Sequence, residues 1–382
     1  MWATITPEVE RMPRRAHQID FKMLRDKLIK WFSRPTPDRA TNVTAALPFA
    51  LATDIGLVRT ENQDRIGAFR ACPDTANGES FLVVAISDGM GGMRDGGICA
   101  SYTLAAFFAG MASGEIADPF ERLRAAAEQA NLAVFDQYGG DGGATLSAIC
   151  WKSDGAGVSV NVGDSRIYGV REQGSPPVQR LTVDDSLEEA VGGHGRELLQ
   201  FVGMGSGLTA HLSELPYETS RVLITSDGIH FVSHEALCDV LWKAPDIYRT
   251  AERLSAFARW CGGPDNASLA AVDLRRLPEI FHTTTDVTLT VWDPFGSVEY
   301  QYLPPLQGRD RPQKNDNSET KKLRAASENS ASEPDTRQAR QKRTRKRKPK
   351  DPSKQDQSTG KGPQLVIQID DTSDSTASEK KQ

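Results

Sequence analysis

The sequence predicts an α+β fold in which antiparallel sheets carry helices on their outer faces. Three observations lead there. Between about Leu51 and Leu274, short β-rich runs outnumber the helical segments that could cross between parallel strands. The helical segments also fall in adjacent pairs instead of alternating with strands. Finally, two apolar runs, "VVAISDGMGG" at Val83–Gly92 and "VLITSDGIHF" at Val222–Phe231, end alike in Ser-Asp-Gly, the pattern of two buried strands that stop at a rim.

Taken in order, residues 1–45 form an extension with one amphipathic stretch, "FKMLRDKLIKWF", whose Phe21, Leu24, Leu28 and Trp31 recur at helical spacing and are expected to pack on the main domain. The main domain spans 46–275. Its strand runs are Phe81–Ile86, Thr145–Trp151, Gly157–Val162, Arg166–Val170, Val222–Thr225 and Ser268–Leu274. Helices are expected over Gly97–Met111, Asp118–Tyr138, Ser233–Trp242 and Asp246–Cys261, with Ser233 capping a helix that starts at His234. Residues 276–303 read as an appended hairpin, because threonine and valine alternate before a turn at Asp293-Pro294-Phe295-Gly296.

From Pro304 to Gln382 aromatic residues vanish and polar residues dominate, so this tail is expected to be disordered. Lys and Arg number 19 against 12 Asp and Glu over residues 304–382, net +7, which leaves 27 against 39, net −12, over residues 1–303. The run "RQARQKRTRKRKPK" at Arg337–Lys350 suits a polyanion, an acidic protein partner or a nuclear import receptor, and equally a solvated charge run. "QLVIQIDD" at Gln364–Asp371 is the tail's strand-like piece, a candidate docking strand for a protein partner. No apolar run reaches the roughly 18 residues of a membrane span, and the N-terminus lacks a signal peptide's apolar stretch. The expectation is a cytoplasmic protein with no membrane partner, or a nuclear one if eukaryotic. Five widely spaced cysteines without a CxxC pair point to buried thiols, not disulfides or zinc.

Asp88 and Asp227 each follow an apolar run, so each carboxylate is expected at a strand end, near the rim of the core. A buried carboxylate needs an arginine, backbone donors or a metal. Two further acids sit comparably: Asp64 in "GLVRTENQDRIG", in a polar turn, and Asp265 in "GGPDNASLAAV", just before a strand. Strand-end carboxylates without clustered His or Cys suit a hard cation, Mg²⁺ or Mn²⁺. His230 and His234 are four apart, but the Ser233 cap between them puts them on different helical faces and argues against a metal pair.

Seven segments in order resemble the metal-dependent PPM/PP2C-type protein Ser/Thr phosphatases in their bacterial form: "TDIGLVRTENQDRIG", "AISDGMGGMRDGG", "GGATLSAICW", "VNVGDSRIYGV", "LTVDDSLEE", "VLITSDGIHFVS" and "GGPDNASLAAV". The resemblance implies a four-layer α/β/β/α sandwich of two antiparallel sheets. It implies two Mg²⁺ or Mn²⁺ ions bridged by Asp88, with the Gly89 carbonyl, Asp64, Asp227 and Asp265 completing the set and Asp184 as candidate ligand of a third, weaker ion. Arg59, five residues before Asp64, falls where the family binds phosphate, and Asp88 and Arg59 are the catalytic candidates. The implied activity is hydrolysis of phosphoserine and phosphothreonine in a phosphoprotein substrate by metal-activated water, opposing a cognate Ser/Thr kinase.

Three positions depart from the family pattern. Gln63 stands for the usual glutamate, Asp185 for the histidine of Asp-His-Ser, and Met90 for a histidine of some members. Gln63 and Asp185 keep a second reading open, a pseudophosphatase that binds phosphoproteins without turning them over. Asp164 and Arg166 of "GDSR" read as a structural ion pair.

Overall fold

In chain order the elements of the computed structural model are β1 (Glu8–Pro13), α1 (Phe21–Phe32), β2 (Arg39–Asn42), β3 (Phe49–Asp54), β4 (Arg65–Cys72), β5 (Phe81–Ser87), α2 (Gly96–Ser113), α3 (Pro119–Tyr138), β6 (Leu146–Lys152), β7 (Gly157–Val162), β8 (Arg166–Arg171) and β9 (Val178–Arg180). After them come α4 (Leu187–Val191), β10 (His211–Glu214), β11 (Thr219–Thr225), α5 (Asp227–His230), α6 (His234–Lys243), α7 (Ile247–Trp260), β12 (Ala267–Asp273), a 3₁₀ stretch (Leu274–Phe281), β13 (Val287–Asp293) and β14 (Gly296–Leu303). The structure describes residues 8–303 except 14–19, 43, 45, 73–79, 114–117, 154–156, 174, 193–194, 196 and 282–286. These residues belong to one unit, 1–311; the second unit, 312–382, and with it Arg337–Lys350 and Gln364–Asp371, lies outside the described residues.

An eight-stranded sheet runs β1-β14-β13-β4-β5-β6-β7-β10 and a six-stranded sheet runs β2-β3-β12-β11-β8-β9. Every pairing is antiparallel except that of β1 with β14, which is parallel. Three apolar cores separate four layers. Leu24, Phe69, Phe107, Phe108 and Val134 belong to the core that joins α1, α2 and α3 to the eight-stranded sheet. Leu51, Val84, Ile149, Trp151, Ile224 and Val272 fill the space between the sheets. Leu223, Leu237, Leu254 and Leu269 join the six-stranded sheet to α6 and α7. Sheets covered on both faces explain why β5, "FLVVAIS", is buried at every residue and reads as an unbroken apolar run, not an alternating one.

Local chemistry delimits the helices as expected. Asp118 caps α3 by accepting from Phe120 N at 3.2 Å, Pro119 opens it, and Gly139 closes it in the left-handed region at φ 63°. Ser233 accepts from Ala236 N at 3.2 Å, and α6 begins at His234. On α1 the buried side chains are Leu24, Leu28 and Phe32, with Phe21 and Trp31 only partly covered. The turn expected at Asp293–Gly296 is the two-residue loop between β13 and β14, where Asp293 Oδ1 accepts from Phe295 N at 2.8 Å and Gly296 N at 2.9 Å. β13 pairs with β4, so the hairpin extends the eight-stranded sheet.

β4, "RIGAFRAC", escapes the sequence reading because Gly67 and two alanines dilute its apolar signal. Gly67 sits where a Cβ would come within 3.0 Å of the Trp292 carbonyl oxygen and 3.1 Å of the Phe32 ring of α1. Of the cysteines, Cys72, Cys99 and Cys150 are buried, while Cys238 is half-buried and Cys261 exposed, which corrects the expectation for the last two. Among the described residues no helix is long and apolar enough to cross a membrane.

Ile224 lies fully buried between the sheets. Ile224→Ala should cost about 3 kcal/mol in a denaturant titration, with the m-value unchanged.

Candidate active site

Strand register gathers the aspartates. Arg65 pairs with Ser87 across β4 and β5, so Asp64, just before β4, and Asp88, just after β5, emerge at the same end of the eight-stranded sheet. In the other sheet Thr225 pairs with Leu269 and with Arg166, which brings Asp227 after β11, Asp265 before β12 and Asp164 before β8 to one end as well. The two ends meet directly. Ser226 Oγ donates to Asp64 Oδ2 at 2.8 Å, and Asn266 Oδ1 accepts from Gln63 N at 2.8 Å.

Each turn is braced by short polar side chains. Asn62 Oδ1 accepts from Asp64 N at 3.1 Å, an Asx turn that holds the acid at the mouth of β4. Thr145 N donates to the Asp88 carbonyl at 2.8 Å while Thr145 Oγ1 accepts from Asp88 N at 2.9 Å. Asn266 Nδ2 donates to the carbonyls of Ile55 and Glu61, both at 2.9 Å, and so ties the Arg59 loop to the start of β12. The glycines after Asp88 and Asp227 serve close packing and not a left-handed turn. A Cβ on Gly89 would lie 2.3 Å from the Gly96 carbonyl oxygen, and one on Gly228 would lie 2.0 Å from that of Asn266.

The acids feel burial and one another. Burial, and then Asp64, Asp227, Asp164 and Asp265, hold the Asp88 carboxyl well above the usual carboxylate range. The Asp64 carboxyl is pushed up to about 7, by burial first and by Asp227 and Asp265, against the lowering bond from Ser226. Asp164 is likewise pushed up to about 7, by burial and then Asp227 and Asp184. Arg59 enters this field from the exposed side: its Nη2 donates to Asp265 Oδ2 at 2.6 Å, with the Arg59 side chain 43% exposed. Its guanidinium also abuts Gly91, where a Cβ would lie 2.9 Å from Nη1. The Arg59 pKa is raised, by the Asp265 hydrogen bond foremost and also by Asp227 and Asp88.

Among the described residues no three His, Cys, Asp or Glu side chains converge as a finished cation cage. The acids line a rim instead, with Asp265 turned to Arg59 and Asp64 Oδ2 to Ser226. Asp64 Oδ1 is buried without a hydrogen-bond partner among the described residues. An orphaned carboxylate oxygen within an all-oxygen set of mutually repelling acids fits hard divalent cations that keep part of their water shell.

The structure corrects two assignments. Asp184 is not available as the ligand of a third ion: Arg166 Nε and Nη2 reach it at 3.0–3.2 and 2.7 Å, Arg180 Nη2 at 2.6 Å, and its side chain is 5% exposed. A carboxylate neutralised by two guanidinium groups has little charge left for a cation. Arg166 is thus the partner of Asp184 and not of Asp164, which joins the rim acids instead. The sequence reading missed Asp164 because neighbours in "GDSR" look like an ion pair until β8 sends them apart. Asp185, the residue in the histidine position, is structural: Oδ2 accepts from Gly163 N at 2.9 Å, and Oδ1 meets Gln200 Nε2 at 3.0 Å and His211 Nε2 at 2.8 Å. His230 Nδ1 lies 2.9 Å from Thr225 Oγ1 in the core, and His234 stands outside on α6. The bracing roles of Ser226, Thr145 and Asn266 have no signature in one sequence, although each stands within a quoted motif.

No protein-family model matches the chain. It is 28% identical over 251 residues to the serine/threonine protein phosphatase PstP of Mycobacterium tuberculosis, covering 61% of this chain and 46% of that protein, so it spans about half the length of this relative. It is 24% identical to protein phosphatase PhpP of Streptococcus pneumoniae over 60% of this chain and 98% of that one. A crystal structure of the S. agalactiae serine/threonine phosphatase matches with a TM-score of 0.50 and 26% identity, over 59% of this chain and 98% of that one.

Carboxyls raised to about 7 in the folded chain contribute stability that is full below the unfolded pKa near 4 and lost as pH rises through about 7. In EDTA-treated protein, Asp164→Asn should therefore leave Tm unchanged near pH 4 and raise it by roughly 2–4 °C at pH 8. A difference that does not open over this window in a thermal scan would contradict the charge crowding.

Proposed function

We propose that the chain is a metal-dependent phosphoprotein phosphatase of the PPM/PP2C type, as its likeness to the serine/threonine protein phosphatases PstP and PhpP supports. The observation that carries the reading is the rim itself: five aspartates from two sheets, three of them raised in pKa by burial and then by one another, with the Arg59 guanidinium beside Asp265. Asp64, Asp88, Asp227 and Asp265, with the Gly89 carbonyl, would hold two Mg²⁺ or Mn²⁺ ions, and Asp164 takes over the outer position first expected of Asp184. Bound there, such a pair acidifies a water and neutralises phosphoryl charge.

The chain's own residues supply orientation. Arg59 offers a planar fork to the phosphate of a phosphoserine or phosphothreonine, and its exposure lets a protein substrate reach it. Exchange of Asp265 for phosphate as its partner would couple substrate binding to release of that carboxylate toward the rim. Asp88, held by the reciprocal Thr145 bonds, keeps a fixed carboxylate between the two sheet edges. A Ser/Thr kinase is the enzyme class that must supply the substrate.

Hydrolysis of p-nitrophenyl phosphate should appear on addition of Mn²⁺ and disappear with EDTA. Asp88→Asn should lower kcat by at least about 100-fold while leaving a folded protein. A folded wild-type chain without Mn²⁺-dependent turnover would favour the alternative, a phosphoprotein-binding pseudophosphatase, for which Gln63 in place of glutamate is the supporting feature. Arg59→Ala should chiefly raise KM, by about 10-fold or more, since it removes a contact made in ground and transition states alike; steady-state kinetics with the same ester decides it.

A further inference from the structure

Helix α1 lies before Leu51, where the family resemblance begins, yet its last carbonyl reaches the turn that carries Asp64. Arg65 Nε donates to the Phe32 carbonyl at 2.7 Å and to Ser101 Oγ of α2 at 3.0 Å, while Nη1 donates to the carbonyls of Asn62 at 2.8 Å and Asp64 at 2.7 Å. Ser101 Oγ in turn donates to the Phe32 carbonyl at 3.2 Å. One guanidinium thus joins the C-terminus of α1, the body of α2 and the backbone of Asp64 itself. A helix C-terminus presents orphan carbonyls and a partial negative charge, so a cation there is doubly favoured.

The anchoring of α1 is firm. Leu24 and Leu28 are fully buried, the Phe32 ring meets Phe108 at 5.9 Å and lies over Gly67 of β4, and Arg34 Nη1 pairs with Asp293 Oδ2 at 2.6 Å. The Phe32 carbonyl is therefore a fixed point, and Arg65 transmits its position to the Asp64 turn. On the reading of Asp64 as a cation ligand, we propose that α1 is a built-in brace of the cation site and that Arg65 is the positioning residue through which it acts. Without the brace, the Asn62–Asp64 carbonyls lose a shared donor and the carboxylate loses its fixed approach to the rim.

The test is Mn²⁺ titration calorimetry on the full chain, with apo thermal scans in EDTA alongside. Arg65→Gln should weaken Mn²⁺ binding by about 10-fold or more, as loss of groups that orient ligands does. Arg65→Lys, which retains a cationic donor near the carbonyls, should recover part of that affinity. A lower apo Tm with unchanged Mn²⁺ affinity in Arg65→Gln would mark a purely structural role and overturn the proposal. Should Arg65→Gln fail to fold, Leu28→Ala decides, because it loosens α1 with Arg65 intact: weaker Mn²⁺ binding supports the brace, and wild-type affinity overturns it. Absence of Mn²⁺ binding by the wild-type chain is a different result, which sinks the cation reading and not the brace alone.

Discussion

The hydrogen bond from Ser226 to Asp64 joins two sheets at the point where their charges crowd. Like-charged carboxylates at one rim repel, and burial raises the cost of each, so the backbone beneath them must resist their separation. The braces of Thr145 at Asp88, Asn266 at the Arg59 loop and Asn62 at Asp64 are all short polar side chains bonded to main chain. Such side chains lose little rotamer freedom on ordering, which suits them to support an edge crowded with like charges. The same logic accounts for Gly89 and Gly228, where neighbouring backbones touch and leave no room for a Cβ.

The four-layer architecture makes that rim possible. Antiparallel pairing returns every second strand to the same end, so a residue leaving one strand and a residue about to begin the next are neighbours. Two sheets stacked with matching ends bring two such pairs together, and β8 adds Asp164. Helices on both outer faces bury the central strands and stiffen those whose ends hold the acids. α1 takes part in this through Phe32, whose ring lies over Gly67 and whose carbonyl accepts from Arg65 of β4.

Much of this was legible in the sequence, for identifiable reasons. β5, β11 and β12 are apolar runs closed by a polar turn, and α3, α6 and α7 carry side-chain caps, so local pattern and final structure agree. β4 was not legible, because its glycine sits against a ring 35 residues earlier in the chain and against the distant Trp292 carbonyl. Nor was the exchange of partners among Asp164, Arg166 and Asp184. Their neighbours along the chain suggested one pairing, and Arg180 of β9 together with the course of β8 dictated another.

By itself, then, the sequence determined which residues end strands, which cap helices and which aspartates stand where the chain turns, since these follow from periodicity and short-range bonding. Tertiary structure alone decided which of those aspartates share a rim and which are neutralised by arginine. It also decided that an N-terminal helix touches the Asp64 turn. Such outcomes depend on register between strands and on contacts between residues tens to hundreds of positions apart, such as Arg65 with Phe32 and Ser226 with Asp64, and no local pattern encodes the distance between them.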